Sequence, residues 1–253
     1  MNGWRLIWAR LLLGLGLALA PVSMAPVSMV PVSLMPTAGA QTWGPWPTFQ
    51  INPLVIELFT SQGCHSCPPA DMELEQLADM PGVLGLSFHV DYWDYIGWRD
   101  PFASESATHR QKYYRHVLAK RYIFTPQFVV GGSWSPDGRT SLLDLDLMSY
   151  KGDPLMFKTD QDWIYLPETR TLNGIADLWL VHFDHRHETH IKSGENAGRT
   201  LAYRHVVRDI KHLGDWRGER RRIAWPPRIG YGIALLVQHR GDGTILASIA
   251  HMQ

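Results

Sequence analysis

The sequence predicts an α/β region followed by a mostly β region, and three observations indicate this order. Up to about residue 151, apolar runs typical of strands alternate with runs of helical spacing, which favours a sheet covered by helices. From about residue 152, strand-like runs follow one another and end in a hairpin at Gly241-Asp242-Gly243. Two cysteines lie between the first predicted strand and the first predicted helix. We therefore expect an α/β domain over residues 41–151 and a mostly β, β-sandwich-like domain over residues 152–253.

The elements of the first region follow from local patterns. Residues 54–60 form an apolar run typical of a buried strand. Pro68 and Pro69 open a run of helical spacing, and proline is tolerated in a first helical turn, so the cysteines just before them belong at a helix N-terminus. The other predicted elements are strands at residues 83–90 and 127–130 and helices at residues 103–120 and 144–150.

The second region is predicted to consist of strands joined by turns. Its strand-like runs lie at residues 155–157, 163–165, 177–183, 200–210, 229–238 and 244–250. The glycines between the last two runs indicate a turn, so these runs are expected to pair as a hairpin.

The first 40 residues have the features of an export signal. Two arginines and a short apolar run at residues 11–20 precede Ala38 and Ala40, small residues that form a cleavage site before Gln41. A spacer that repeats Pro-Val-Ser-Met lies between the apolar run and this site. We expect residues 1–40 to be removed and the mature protein to be periplasmic or secreted. An uncleaved N-terminal anchor is the alternative.

Hydropathy argues against a membrane span, and the charge balance argues against general nucleic-acid binding. The run at residues 11–20 is too short to cross a bilayer, which takes about 20 apolar residues, and the prolines after it would break a longer helix. We therefore expect no stable membrane span after processing. Lys+Arg and Asp+Glu both number 24, and this balance argues against a nucleic-acid partner, which normally requires a basic surplus.

The motif Cys64-His65-Ser66-Cys67 indicates dithiol–disulfide chemistry. The dipole and the unpaired N–H groups of a helix start favour a thiolate, and a second thiol one turn away can resolve a mixed disulfide. We expect Cys64 to be the exposed nucleophile and Cys67 the more buried resolving thiol. Protonated His65 would favour the thiolate further. The alternative is that His65 is an exposed residue at the helix start without a role in the chemistry. No organic cofactor is implied, because the dithiol itself carries the electrons.

A metal site is another interpretation of the cysteine pair. A structural zinc site needs four ligands, and His182, His185, His187 and His190 form a cluster that could complete one. Their segment starts on an apolar strand, and we expect it to continue as solvated histidines around a β-turn, so that no metal is bound. A copper site formed by the two cysteines and a histidine is a further hypothesis.

Five segments of the chain resemble one known family. They are residues 57–71 (ELFTSQGCHSCPPAD), 88–102 (FHVDYWDYIGWRDPF), 122–130 (YIFTPQFVV), 194–201 (GENAGRTL) and 206–208 (VVR). These segments are similar to an exported bacterial thioredoxin-like family of unassigned function, of the domain of unknown function 1223 type. The resemblance implies a thioredoxin-like fold for the α/β domain and supplies no substrate. Gly63 replaces the Trp that precedes the dithiol in thioredoxins proper.

The likeness to thioredoxins implies roles for two more residues. A cis-proline begins the strand that faces the dithiol in that fold, and Pro126 has the matching position; a trans proline opening an edge strand is the alternative. Thioredoxins also carry a buried carboxylate six positions before the first cysteine, whereas Glu57 lies seven positions before Cys64. The likeness implies a proton relay through Glu57. A capping or salt-bridge role is the alternative, because an ionisable residue in an apolar strand needs a partner.

A loop rich in aromatic residues follows the second predicted strand, where open α/β sheets place their sites. We expect Asp91, Tyr92, Trp93 and Trp98 of this loop, together with Thr125, to form a substrate-binding rim beside the dithiol. A capping loop with satisfied aromatic side chains is the alternative.

The glycine-rich segment at residues 194–199 lies between predicted strands. Asparagine commonly bonds nearby backbone in turns, and arginine can clamp a carboxylate with two hydrogen bonds. We expect Asn196 and Arg199 to pin the β domain against the α/β domain and to leave the reactivity of Cys64 unchanged.

These features favour an exported thiol–disulfide oxidoreductase that acts on a protein partner. Its expected catalytic residues are Cys64, Cys67, His65, Pro126 and Glu57. A non-catalytic binding module with a static disulfide and a copper-handling protein are the alternatives.

Overall fold

The computed structural model describes residues 48–138, 141–150, 155–160, 162–170, 172–225 and 231–252. All of these belong to one compact unit, Gly44–Gln253. The predicted export signal at residues 1–40 lies outside the described residues. In the part of the chain that the structure describes, no helix is long and apolar enough to cross a membrane.

The described residues are mostly β. The strands are β1 (Thr48–Ile51), β2 (Leu54–Thr60), β3 (Val83–His89), β4 (Gln127–Val130), β5 (Lys158–Thr159), β6 (Trp163–Leu166), β7 (Ala176–Asp184), β8 (Arg186–His190), β9 (Thr200–Arg204), β10 (Val207–Trp216), β11 (Arg221–Ala224), β12 (Tyr231–His239) and β13 (Ile245–Met252). The helices are α1 (Pro68–Ala78) and α2 (Glu105–Val117). Short 3₁₀ turns lie at Asp94–Ile96, Leu142–Asp144 and Leu147–Tyr150.

A three-stranded sheet carries the segment with the cysteines. Its order is β3-β2-β4, with β3 parallel and β4 antiparallel to β2. Every residue of β2 is buried, because both faces of the sheet are covered. Ile56 and Leu58 lie in one core cluster with Leu74 of α1. Phe59 lies in a second cluster with Tyr114 of α2.

A five-stranded antiparallel sheet has the order β1-β13-β12-β7-β10, and its inner strands β12 and β7 are buried on both faces. Alternate residues of a strand point to opposite faces, and β12 shows the result. Ala234 and Leu236 belong to the core shared with β2 and β3. Leu235 and Val237 belong to a separate core, shared with the small sheet β11-β6-β5. The five-stranded sheet therefore packs against a second sheet on each of its faces.

The five-stranded sheet connects the two predicted regions. β1 lies in the predicted α/β region but pairs with β13, with Phe49 opposite His251. In addition, Leu86 of β3 shares one core cluster with Val181 of β7. Residues 151–154, where the domain boundary was predicted, lie outside the described residues, so the boundary stays a prediction.

Three local predictions differ from the structure. The histidine segment starts on an apolar strand as predicted, with His182 in β7. Its later part is the strand β8, which pairs with β9, where a turn was predicted. No apolar alternation marks β8, because its side chains are exposed or half-buried. The strand predicted at residues 200–210 is divided into β9 and β10 by His205, whose φ is 49°. The helix predicted at residues 144–150 is replaced by two 3₁₀ turns, since so short an isolated helix is marginal.

Candidate functional site around the Cys64–Cys67 disulfide

The cysteines lie where β2 turns into α1. The Cys64 N–H donates to the Ser61 carbonyl at 3.1 Å and begins the turn after β2. Cys67 is the N-cap residue of α1, and the two prolines that follow it occupy the first helical turn. The predicted position at a helix N-terminus is therefore confirmed.

Cys64 and Cys67 form a disulfide with their Cα atoms 5.4 Å apart. Cys64 is 1% exposed and Cys67 is 0% exposed, so the predicted exposure of Cys64 is wrong for this oxidised state. His65 and Ser66, between the cysteines, are both exposed. The motif thus presents its middle residues to solvent and keeps both sulfur-bearing residues inside.

The segment at residues 193–199, between β8 and β9, lies against the turn that carries the two cysteines. This turn, residues 61–67, is called the cysteine turn below. The side-chain amide of Asn196 donates to the carbonyl oxygens of Gln62 and Cys64, at 2.9 Å each. Arg199 in turn donates to Asn196 Oδ1 at 2.9 Å. The predicted contact of Asn196 with the first region is confirmed and falls on the cysteine turn itself. The described hydrogen bond of Arg199 goes to Asn196 and not to the carboxylate that was expected.

A glycine permits the close approach of this segment. Gly194 has a φ of 77°, and a Cβ there would lie 3.1 Å from Cβ of Trp98. The neighbouring Ser193 hydroxyl donates to the Gly97 carbonyl at 2.6 Å. The segment is thereby tied to the aromatic loop at residues 91–99 as well as to the cysteine turn.

The aromatic loop also holds the cysteine turn from another side. Trp98 Nε1 donates to Gln62 Oε1 at 2.9 Å, and Trp93 Nε1 donates to Thr125 Oγ1 at 2.7 Å. A Cβ at Gly63 would lie 3.3 Å from Cβ of Trp93. A side chain at residue 63 would therefore press against Trp93.

The Thr125–Pro126 peptide bond is cis, as predicted. Pro126 directly precedes β4, and Gln127 of β4 lies opposite Phe59 of β2. The bond from Trp93 to Thr125 therefore links the residues beside the cysteine turn to the start of β4.

Two residues of the predicted rim make internal contacts. Asp91 Oδ1 accepts from the Thr108 hydroxyl at 2.7 Å, and the Tyr92 hydroxyl donates to Gln111 Oε1 at 3.1 Å. Burial raises the pKa of Tyr92 to about 12. These contacts match the capping-loop alternative. The binding role of Asp91, Tyr92, Trp93, Trp98 and Thr125 stays a prediction.

Glu57 is fully buried in an ion pair with Arg110 of α2. Arg110 donates to both carboxylate oxygens, with Nη2 at 3.0 Å from Oε2, and the Tyr114 hydroxyl also donates to Oε2. Burial raises the pKa of Tyr114 well above its ordinary value. These contacts match the salt-bridge alternative. No described hydrogen bond joins Glu57 to either cysteine.

A different carboxylate, Asp71, is buried close to the cysteines. Asp71 lies four residues after Cys67 on α1, and its N–H donates to the Cys67 carbonyl at 3.1 Å. Burial raises the pKa of Asp71 to about 7, although the charge of His89 and the nearby Thr60 hydroxyl lower it. Sequence analysis missed this residue; the signal is an acidic side chain one helical turn after Cys67.

The ion pair of His89 and Asp100 lies near Asp71. His89 Nδ1 is 2.6 Å from Asp100 Oδ2, and both side chains are fully buried. Asp100 also accepts from the N–H groups of Gln62 and Phe102, at 2.8 and 2.9 Å. Burial disfavours the charged carboxylate, but the charge and hydrogen bond of His89 hold the pKa of Asp100 below its ordinary value. Both residues lie in a segment singled out by its family resemblance, without a role assigned to them.

The candidate metal ligands are dispersed. His182 is buried in β7, His185 is exposed, and His187 Nε2 is 2.5 Å from Asp184 Oδ2. His190 Nδ1 lies 3.3 Å from Thr200 Oγ1. Among the described residues, no three His, Cys, Asp or Glu side chains are grouped to hold a metal ion.

The fold and the site define a protein with a disulfide-bonded Cys-x-x-Cys pair at a strand-to-helix junction. The chain belongs to the family described as protein of unknown function DUF1223, whose sequence profile matches residues 55–238.

Two solved structures are similar to the chain. Protein AGR_C_4864 from Agrobacterium tumefaciens is 31% identical, with a TM-score of 0.65 over 79% of this chain and 93% of that one. HBP35 of Porphyromonas gingivalis is 13% identical, with a TM-score of 0.53 over 80% of this chain and 75% of that one, a likeness of fold alone. A search of curated proteins found no match.

Proposed function

We propose that the chain is an exported thiol–disulfide oxidoreductase of the thioredoxin-like type, which exchanges electrons with a protein partner through Cys64 and Cys67. One observation carries this proposal: the disulfide lies at the N-terminal end of α1, directly after a buried strand. The positive end of the helix dipole stabilises a thiolate at this position, and a stabilised thiolate is a good leaving group in disulfide exchange.

The exchange balances without a cofactor. A thiolate of a partner dithiol attacks Cys64 Sγ, the Cys64–Cys67 bond breaks, and Cys67 leaves with the electron pair. The second partner thiol, once deprotonated, then attacks the partner sulfur of the mixed disulfide and releases the Cys64 thiolate. The partner is oxidised by two electrons, and the Cys64–Cys67 disulfide is reduced by two.

The surface around the motif suits a protein partner. His65 and Ser66 are exposed beside the disulfide, and Tyr95 of the aromatic loop is 81% exposed. Because Cys64 is buried, its sulfur has to become accessible before a partner sulfur can approach. His65, if protonated, would stabilise the Cys64 thiolate once it is released.

An exported location supports the same proposal. A disulfide persists in oxidising compartments and is rare in the cytosol. The export signal expected at residues 1–40 would deliver the chain to such a compartment.

A static disulfide in a binding module is the second candidate, and the burial of Cys64 favours it. In that case the bonds from Asn196 to Gln62 and Cys64 keep the turn permanently closed. The disulfide would then hold the turn in shape, and a binding surface elsewhere would carry the function.

The reduction potential separates the two candidates. The mature chain is equilibrated in glutathione buffers of graded ratio, and the reduced fraction is measured by thiol alkylation, with Cys64→Ser as the control without a disulfide. An exchange-active pair is expected between about −270 and −120 mV. A potential below about −300 mV, the range of structural disulfides, together with no mixed disulfide trapped by a Cys67→Ala variant, would leave only the static candidate.

A further inference from the structure

Asp71 is a buried acid for which the fold provides no ion pair of its own. Glu57 is paired with Arg110, and Asp100 is paired with His89. In the described part of the chain, neither oxygen of Asp71 receives a hydrogen bond from a cationic side chain. Burying a carboxylate without such a partner is unfavourable. The position of Asp71 in the buried interior therefore calls for an explanation.

The position of Asp71 relative to Cys67 supplies that explanation. Cys67 has helical backbone angles, with φ −77° and ψ −36°, and Asp71 follows it by four residues on α1. Side chains at this spacing lie on one helix face, with Cβ atoms about 5–6 Å apart. Both residues are buried, at 0% and 5% exposure. The side chains of Cys67 and Asp71 therefore share the buried face at the start of α1.

Polar or ionisable groups from several parts of the chain lie near Asp71. Thr60 lies at the end of β2 and His89 at the end of β3; Asp100 comes from the loop after the aromatic segment, and Tyr203 comes from β9. Burial, the charge of Asp71 and that of Asp100 raise the pKa of Tyr203, so Tyr203 stays neutral. Burial raises the pKa of Asp71 to about 7, so Asp71 can lose and regain a proton near neutral pH.

We propose that Asp71 is the catalytic acid and base that exchanges a proton with Cys67 during disulfide exchange. The inference rests on the proposed function. When a partner thiolate attacks Cys64, the leaving Cys67 sulfur takes the proton from the Asp71 carboxyl group, which becomes a carboxylate. In the reverse direction, the Asp71 carboxylate takes the proton from the Cys67 thiol, and the new thiolate attacks the mixed disulfide at Cys64. Charge and proton number are conserved in each direction.

A two-step chromogenic reaction tests the proposal. The reduced mature chain is mixed with 5,5′-dithiobis(2-nitrobenzoate): Cys64 releases the first thionitrobenzoate, and attack by Cys67 on the mixed disulfide releases the second. In Asp71→Asn the second release should be slower by about a hundredfold at pH 7 and should lose its inflection near pH 7, while the first release is unchanged. Asp71→Glu should recover part of the rate, since it keeps the carboxyl group.

A control variant and two contrary outcomes separate failure of the Asp71 role from failure of the proposed function. Asp79→Asn removes an exposed carboxylate at the other end of α1 and should change neither step. An unchanged second release in a folded Asp71→Asn variant, judged by circular dichroism, overturns the role of Asp71 while leaving the proposed function intact. If Cys64 of the wild type reacts no faster than a model thiol and the second release is absent, the proposed function fails, and the role of Asp71 fails with it.

Discussion

The side-chain amide of Asn196 donates a hydrogen bond to the carbonyl oxygen of Cys64 at 2.9 Å, across 132 residues of sequence. The same nitrogen also donates to the Gln62 carbonyl. Asn196 is 1% exposed, so these bonds are shielded from water. A loop of the β-rich region therefore holds the backbone of the cysteine turn in place.

Replacing Asn196 with alanine should open the cysteine turn. Two buried carbonyl groups lose their donor, which costs about 1–3 kcal/mol for each unsatisfied group unless water enters. We expect a lower free energy of unfolding and faster reduction of the disulfide by dithiothreitol, measured by stopped-flow fluorescence. Asn173→Ala, at an exposed position, is the matched control. An unchanged reduction rate would show that this loop does not limit access, as the sequence alone had suggested.

Glu57→Gln should destabilise the fold and leave the disulfide chemistry nearly unchanged. The variant leaves Arg110 with an uncompensated charge at 5% exposure, and breaking a buried ion pair in this way costs about 3–5 kcal/mol. Urea denaturation of the oxidised protein measures the loss, and the reduction potential should move little.

The exposed Glu105, which lies 3.5 Å from His109, offers a control for Glu57. Glu105→Gln should change stability by less than about 1 kcal/mol. A large shift in potential for Glu57→Gln, beyond that of the control, would restore the proton relay that the likeness to thioredoxins implied.

Asp71 should make the stability of the folded protein depend on pH. Burial raises its pKa from 3.8 to about 7, so between these values the folded state holds a proton that the unfolded state has released. The free energy of unfolding of the wild type should therefore fall, relative to Asp71→Asn, as the pH rises from about 4 to 7, and the difference should level off above 7. One pKa unit corresponds to about 1.4 kcal/mol, which limits the change to about 4 kcal/mol.

Urea denaturation at several pH values checks this prediction, and the difference between the two proteins cancels most contributions from other groups. A difference that stays flat from pH 4 to 7 would mean that Asp71 is ionised in the folded protein throughout. A difference that runs in the opposite direction would mean that a cation stabilises the carboxylate.

Processing of the N-terminus is expected before Gln41. Mass spectrometry of the protein recovered from a bacterial periplasm or medium should show a chain that begins at or near Gln41. Replacing Ala38 and Ala40 with larger residues should retain the precursor. Recovery of intact Met1 chains in the membrane fraction would instead support the uncleaved anchor.

The sequence by itself determined the local framework of the site. The apolar run of β2 and the prolines after Cys67 placed the cysteines at a helix start, because strand pattern and proline geometry act over a few residues. The likeness to thioredoxins similarly implied the cis bond before Pro126.

Only the tertiary structure decided the environment of each functional side chain. The backbone carbonyl of Cys64 accepts a hydrogen bond from Asn196, 132 residues away, and Glu57 pairs with Arg110, 53 residues away. The pKa of Asp71 depends on the elements that exclude water from it. Desolvation and long-range hydrogen bonds arise from residues distant in the chain, and a local pattern carries no record of which of them will meet.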